Sequence, residues 1–137
     1  MLIKTSSPKF FAPVSMKHLD AKGALKDLKF DVQFKRLKQS EFDALVKAND
    51  EKAKKRKEDI ADGRDISEDV RQDFSDLITN NMVGWSGVQD EAGNPVPFSH
   101  AAVFEACEEY SGLMLAIVQA FYGSFSPTAA AHLAAKN

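Results

Sequence analysis

The most regular alternation of polar and apolar residues lies at Leu28–Lys35, where Leu28, Phe30, Val32 and Phe34 alternate with Lys29, Asp31, Gln33 and Lys35. A period of two puts the four apolar side chains on one face of a strand. Just upstream, Asp20-Ala21-Lys22-Gly23 has the chemistry of a turn, with Gly23 free to take a positive φ. A less regular run over Phe10–His18 supplies the first strand. Together these predict a β-hairpin over residues 10–37, behind a loose arm at residues 1–9. A lone hairpin is marginal in water, so its apolar face needs helices or a neighbouring subunit against it.

Beyond the hairpin the period changes. Ser40 reads as the N-cap of helix one, with Asp43 completing an approximate capping box. Phe42, Leu45 and Val46 give that helix a short apolar patch. Residues 49–59 are then polar all round and can stay helical through pairs such as Glu51–Lys55 and Lys55–Asp59, until Asp62-Gly63 ends the helix. Helix two begins near Ser67 and places Ile66, Val70, Phe74, Leu77, Ile78 and Met82 at helical spacing. Gly84, Gly87, Gly93, Pro95 and Pro97 exclude a continuous helix from residues 83–98. Ser99 is a good N-cap for helix three, about His100–Glu109, and Gly112 marks a break. Helix four, about Leu113–Phe125, is apolar nearly all round, and Ser126-Pro127 stops it. Such a helix must be covered on every side, within the chain or by a second copy.

The pattern therefore predicts a mainly α fold. It has about four helices, an N-terminal β-hairpin and a Gly/Pro-rich loop between helices two and three. The expected organisation is a single domain, 1–137, with the helical region at 40–125 and a frayed tail at 126–137.

Composition changes this picture little. With 44% hydrophobic and 28% charged residues the chain is ordinary for a soluble protein. A net charge of −2 gives no global attraction to nucleic acid or anionic membrane. A single cysteine, Cys107, excludes an intramolecular disulfide and fits a reducing cytoplasm. No signal-peptide pattern follows Met1, and the apolar run Leu113–Tyr122 is too short to span a bilayer.

Candidate chemistry is sparse. Gly84-Trp85-Ser86-Gly87-Val88 superficially matches a nucleophile elbow, but Val88 stands where that turn needs glycine. His18, His100 and His132 are far apart, and Cys107 has no cysteine partner for a metal site. Asp59, Asp62, Asp65 and Glu68 lack the alternation of a calcium loop and read as a solvated acidic turn. Lys52, Lys54, Lys55, Arg56 and Lys57 form a basic cluster, so a small nucleic-acid-binding regulator is the alternative function. Acidic neighbours at Asp50-Glu51 and Glu58-Asp59 reduce its field, and no aromatic residues interleave for base stacking. Neither common phosphate-loop fingerprint is present. No enzyme activity, cofactor or metal is expected.

Met82–Ser99 is the most distinctive segment. Val83–Val88 reads as short and extended, Gln89–Asn94 as a polar turn, and Pro95–Phe98 as extended again. Trp85 and Phe98 would anchor this loop on the core. Val83-Gly84-Trp85-Ser86-Gly87-Val88, followed by Asp90-Glu91-Ala92-Gly93-Asn94-Pro95-Val96-Pro97-Phe98-Ser99, resembles a segment of the tail assembly chaperones of long-tailed (siphovirus-type) bacteriophages. Phe30–Leu37 ahead of Ser40-Glu41-Phe42 is also similar, and by organisation the resemblance covers roughly residues 25–125. It implies a non-enzymatic chaperone that binds the tape-measure protein and the major tail-tube protein in the host cytoplasm, often self-associates, and leaves before the tail is complete. It carries no individual binding residues. The apolar faces of helices two and four, with Trp85, are the candidate protein-binding surfaces: Val70, Phe74, Leu77, Trp85, Leu113, Ile117 and Phe121.

Overall fold

Lys9–Leu19 (β1) and Leu25–Lys35 (β2) pair antiparallel along their whole length in the computed structural model, which describes residues 1–2, 4 and 7–125. The turn forms where its residues predict. Asp20 accepts the N–H groups of Lys22 and Ala24 through one carboxylate oxygen, at 2.9 Å each, and Gly23 takes φ +79. The loose arm ends earlier than expected. The Arg36 N–H donates to the Pro8 carbonyl at 2.7 Å, and the Arg36 guanidinium donates to the Ser7 carbonyl at 2.9 Å.

Pro13 obscures β1 in the sequence, and the ladder explains why it is tolerated. Bonded pairs flank the hairpin at Asp20–Ala24 and Arg36–Pro8. Bonded pairs recur every second residue, so the even positions of β1 face β2 and the Pro13 nitrogen faces the free edge. There the missing N–H breaks no ladder bond, and it leaves a gap in the edge that discourages a further strand.

Helix two is followed directly by a third strand, and this overturns the mainly α expectation. Ser67–Asn81 (α2) ends at Met82, and Met82–Ser86 (β3) joins the sheet in the order β1-β2-β3. Pairs are Asp31 with Ser86, Val32 with Trp85, Gln33 with Gly84 and Phe34 with Met82, with an irregularity at Gln33/Phe34. The described residues are 48% helical and 24% strand, an α+β composition. The physical reason is that β2 has two edges. Its second edge recruits a five-residue strand some fifty residues away, a pairing that local periodicity does not report.

The core lies between one face of the sheet and the helices. Ala12, Val14, Val32 and Phe34 from the sheet are buried against Leu77 and Ile78 of α2, Val103 of His100–Glu109 (α3), and Leu113, Ile117, Val118 and Phe121 of Leu113–Gly123 (α4). Ser99 caps α3 as expected, its hydroxyl accepting the Ala102 N–H at 3.0 Å. Gly112 sits at φ +88, which turns the chain from α3 into α4. Helix four is thus covered largely within the chain, with Leu115 left 46% exposed. The expected stop at Ser126-Pro127 and the tail at 126–137 lie outside the described residues.

Gln39–Ala61 (α1) is the least embedded element, with no fully buried residue. Its start is also shifted from the Ser40 cap. Lys38 is the N-cap, because the Glu41 carboxylate reaches back to accept the Lys38 N–H at 2.9 Å. A stripe at helical spacing holds α1 to the rest. Phe42 stacks on Phe125 at 4.0 Å between ring centroids, and Asn49 donates to the Tyr122 hydroxyl at 2.8 Å. Lys52 and Arg56 both reach Asp73 of α2, so these cations bridge two helices.

Asp73 gives this docking a pH dependence. Partial burial pushes its carboxyl up, but hydrogen bonds from Arg56 and Lys52 and their charges outweigh this and hold it below the ordinary 3.8. A depressed folded value means the contribution is present above 3.8 and is lost as pH falls through the folded value. Asp73→Asn is expected to cost about 1 kcal/mol at neutral pH and to flatten the acid limb of a melting-temperature profile. An acid limb identical to wild type would rule this out.

Candidate functional site

Trp85 is fixed from three directions. Strand pairing sets its backbone opposite Val32. Its indole Nε1–H donates to the Val96 carbonyl at 2.8 Å, and its ring meets Phe98 edge-on at 5.9 Å between centroids. The loop that returns to it is tied internally. Val96 N–H donates to the Val88 carbonyl at 3.0 Å, Asp90 N–H to the Asn94 carbonyl at 2.9 Å, and Gln89 bridges Pro95. The Asp90 carboxylate accepts the Asn94 N–H at 2.9 Å, and Gly93 takes φ +84. The polar turn and the Trp85–Phe98 contact are as the sequence predicts, whereas the first arm is the strand β3 and the chain turns at Gly87, φ +82.

Beneath Trp85 lies an open-mouthed cavity of about 160 Å³. Leu28 and Phe30 of β2, Val88 of the loop, Val103, Ala106 and Tyr110 around α3, and Leu113 and Ile117 of α4 form its apolar wall. A groove of about 430 Å³ adjoins it between the loop and α3, sharing Trp85, Val88, Gln89, Ala106 and Tyr110 with the cavity. Asp90, Glu91, Glu105 and Glu109 rim this groove.

The seven candidate residues divide. Trp85, Leu113 and Ile117 come together at the cavity. Leu77 and Phe121 are buried in the core, Phe121 completely. Val70 and Phe74 are half-buried on α2 and do not line the cavity. Sequence reasoning missed Leu28, Phe30, Ala106 and Tyr110 at this place, and it missed the acidic rim. A compositional signal for the rim was present: Gln72–Ala135 holds seven carboxylates and no Lys or Arg.

The remaining reactive groups are engaged or apart. The His100 Nε2 lies 3.0 Å from the Met82 carbonyl, which can only accept, so the proton sits on that nitrogen. Ser86 is exposed at the end of β3. No three His, Cys, Asp or Glu side chains among the described residues gather to hold a metal ion. No helix among them is long and apolar enough to cross a membrane. Of the basic cluster, Lys52 and Arg56 are turned to Asp73, while Lys54, Lys55 and Lys57 are exposed.

Burial pushes the Cys107 thiol up to about 11. At pH 8 about one such thiol in a thousand is thiolate, against roughly a quarter for a free cysteine. Alkylation of the native protein at pH 8 is expected to be on the order of 100-fold slower than in denaturant. Equal rates in the two conditions would show that the thiol is not held in this environment.

A sequence model of the phage tail assembly chaperones matches residues 2–129. The chain belongs to that family. The match spans the three-stranded sheet, the four helices of the described residues and the Trp85 loop, so the chaperone role in tail assembly attaches to this fold. Comparison with curated proteins finds no match. Comparison with solved structures finds none either.

Proposed function

We propose that this chaperone binds the tape-measure protein and the major tail-tube protein of a long-tailed phage and keeps them soluble until they assemble. The match over residues 2–129 to the family of tail assembly chaperones carries this reading. An open apolar cavity framed by a tied loop supports it, because such a site offers reversible capture of an apolar side chain without nucleotide or covalent chemistry. The action is non-enzymatic and takes place in the host cytoplasm, and the chaperone leaves before the virion is complete. It acts as a homo-oligomer, to which Leu115 and the exposed strand residues Phe11 and Leu19 lend apolar surface. Trp85, Leu113 and Ile117 serve at the cavity. Val70 and Phe74 offer the accessible part of α2, and Leu77 and Phe121 hold these surfaces in place.

Size-exclusion chromatography of the purified chain mixed with the soluble tail-tube protein tests the reading. Co-elution that survives nuclease treatment is the expected result. Separate elution from both the tail-tube protein and tape-measure fragments would reject it.

A further inference from the structure

The cavity and its groove combine two properties that together define an occupant. The cavity is walled mainly by apolar side chains, with Lys29 and Gln89 beside them, and at about 160 Å³ has room for one aromatic or branched aliphatic side chain. The groove leading from it is rimmed by Asp90, Glu91, Glu105 and Glu109. Among the described residues none of these four makes an ion pair, although cations pair with carboxylates elsewhere in the molecule. The groove has no cationic side chain of its own and the surrounding stretch Gln72–Ala135 supplies none, so Lys29, at the adjoining cavity, is the one cation in either lining. Four exposed carboxylates along the groove against the single Lys29 leave the two linings net acidic, which attracts cations and disfavours an acidic or purely apolar segment.

We propose that this groove is the docking site for a basic amphipathic segment of a partner protein. One large apolar side chain enters the cavity beneath Trp85, and flanking lysines or arginines meet the carboxylate rim. The proposal rests on the chaperone reading above and names the chemistry of the client segment. A second copy of the chain fits less well. Its basic run, Lys52–Lys57, has Lys52 and Arg56 engaged with Asp73, contains only Ala53 as an apolar residue and cannot fill the cavity. Its hairpin tip does expose Leu19 and Leu25, but Asp20 and Asp27 offset the lysines there, and Lys17 is already bonded to Asp27 at 2.7 Å.

The chain contains one tryptophan, so emission from Trp85 reports on the groove directly. The probe is a synthetic amphipathic peptide of lysine and leucine, about 18 residues long, titrated into the full-length protein. A saturable shift in Trp85 emission is expected, weakening as salt is raised. The double variant Glu105→Gln/Glu109→Gln, altered only at exposed positions, is expected to bind about tenfold more weakly. Peptides with glutamate in place of lysine, or alanine in place of leucine, are expected to give no shift. Equal binding of the glutamate peptide, or unchanged affinity in the double variant, overturns the proposal. So does emission that changes with protein concentration alone and reverts in Leu19→Asp/Leu25→Asp, since a second copy then fills the groove. A chain that solubilises tail proteins yet ignores the lysine–leucine peptide keeps its proposed function and loses this site. One that binds the peptide in the groove but engages no tail protein keeps the site and loses the function.

Discussion

Phe121→Ala is expected to remove about 3–5 kcal/mol of stability. Phe121 is fully buried, and its ring meets those of Phe34 at 5.2 Å, Phe125 at 5.1 Å and Tyr122 at 5.3 Å, all edge-on. It is therefore the point where β2, α4 and, through Phe125, α1 converge. Truncation removes the transfer energy of the ring and leaves a void that three rigid neighbours cannot all close. Domains are stable by about 5–15 kcal/mol, so the variant should approach the unfolding threshold. Phe121→Leu keeps most of the volume and should retain most of the stability. Urea unfolding of the three proteins measures this. A loss below about 1 kcal/mol for the alanine variant would contradict the central position assigned to Phe121.

Trp85→Ala is expected to cost about 3 kcal/mol, and Trp85→Phe about 1 kcal/mol. The difference separates two contributions. Both variants lose the indole bond to the Val96 carbonyl, which leaves that carbonyl in need of water. Only alanine also loses the edge-on packing on Phe98 and opens the cavity roof. Hydrogen exchange is the discriminating measurement. In Trp85→Ala the Asp90 and Val96 amides should lose protection first, because their bonds close the loop that Trp85 anchors. Protection there equal to wild type would mean that the loop stands without its tryptophan.

Elements written in local chemistry were legible in the sequence. The alternation at Leu28–Lys35, the Asp20–Gly23 turn, the apolar stripe of α2 and the Ser99 cap each depend on residues close together in the chain, and each forms where it was expected. The apolar helix four was also legible, as was its need for cover. What failed was long-range or ambiguous. β1 hides its alternation of Phe10, Ala12, Val14 and Met16 behind Phe11 and Pro13. β3 is five residues long, carries Gly84 at its centre and exists because β2 offers it an edge. A Cβ at Gly84 would come within 2.6 Å of the Gln33 side-chain oxygen on the paired strand, so Gln33 would have to swing aside for any larger residue. Missing that strand turned an α+β fold into a mainly α one.

The candidate site was legible only in part. Trp85 stood out by its type and its setting between glycines. Its partners at the cavity come from β2, α3 and α4, and no spacing in the chain brings them together before the fold does. Burial then reversed the emphasis among the apolar candidates. Leu77, on the apolar stripe of α2, and Phe121, on a helix apolar nearly all round, lie in the core rather than on an open surface. The acidic rim required the opposite kind of attention, to the long absence of cations after Arg71.

Co-expression with the tape-measure protein tests the central claim most directly. The quantity to measure is the soluble fraction of the tape-measure protein with the chaperone present, with it absent, and with Phe121→Ala in its place. A several-fold rise in soluble tape-measure protein, recovered as a complex and lost with the destabilised variant, is the predicted result. A soluble fraction that does not change when the folded chaperone is present, with no complex recovered, would contradict it.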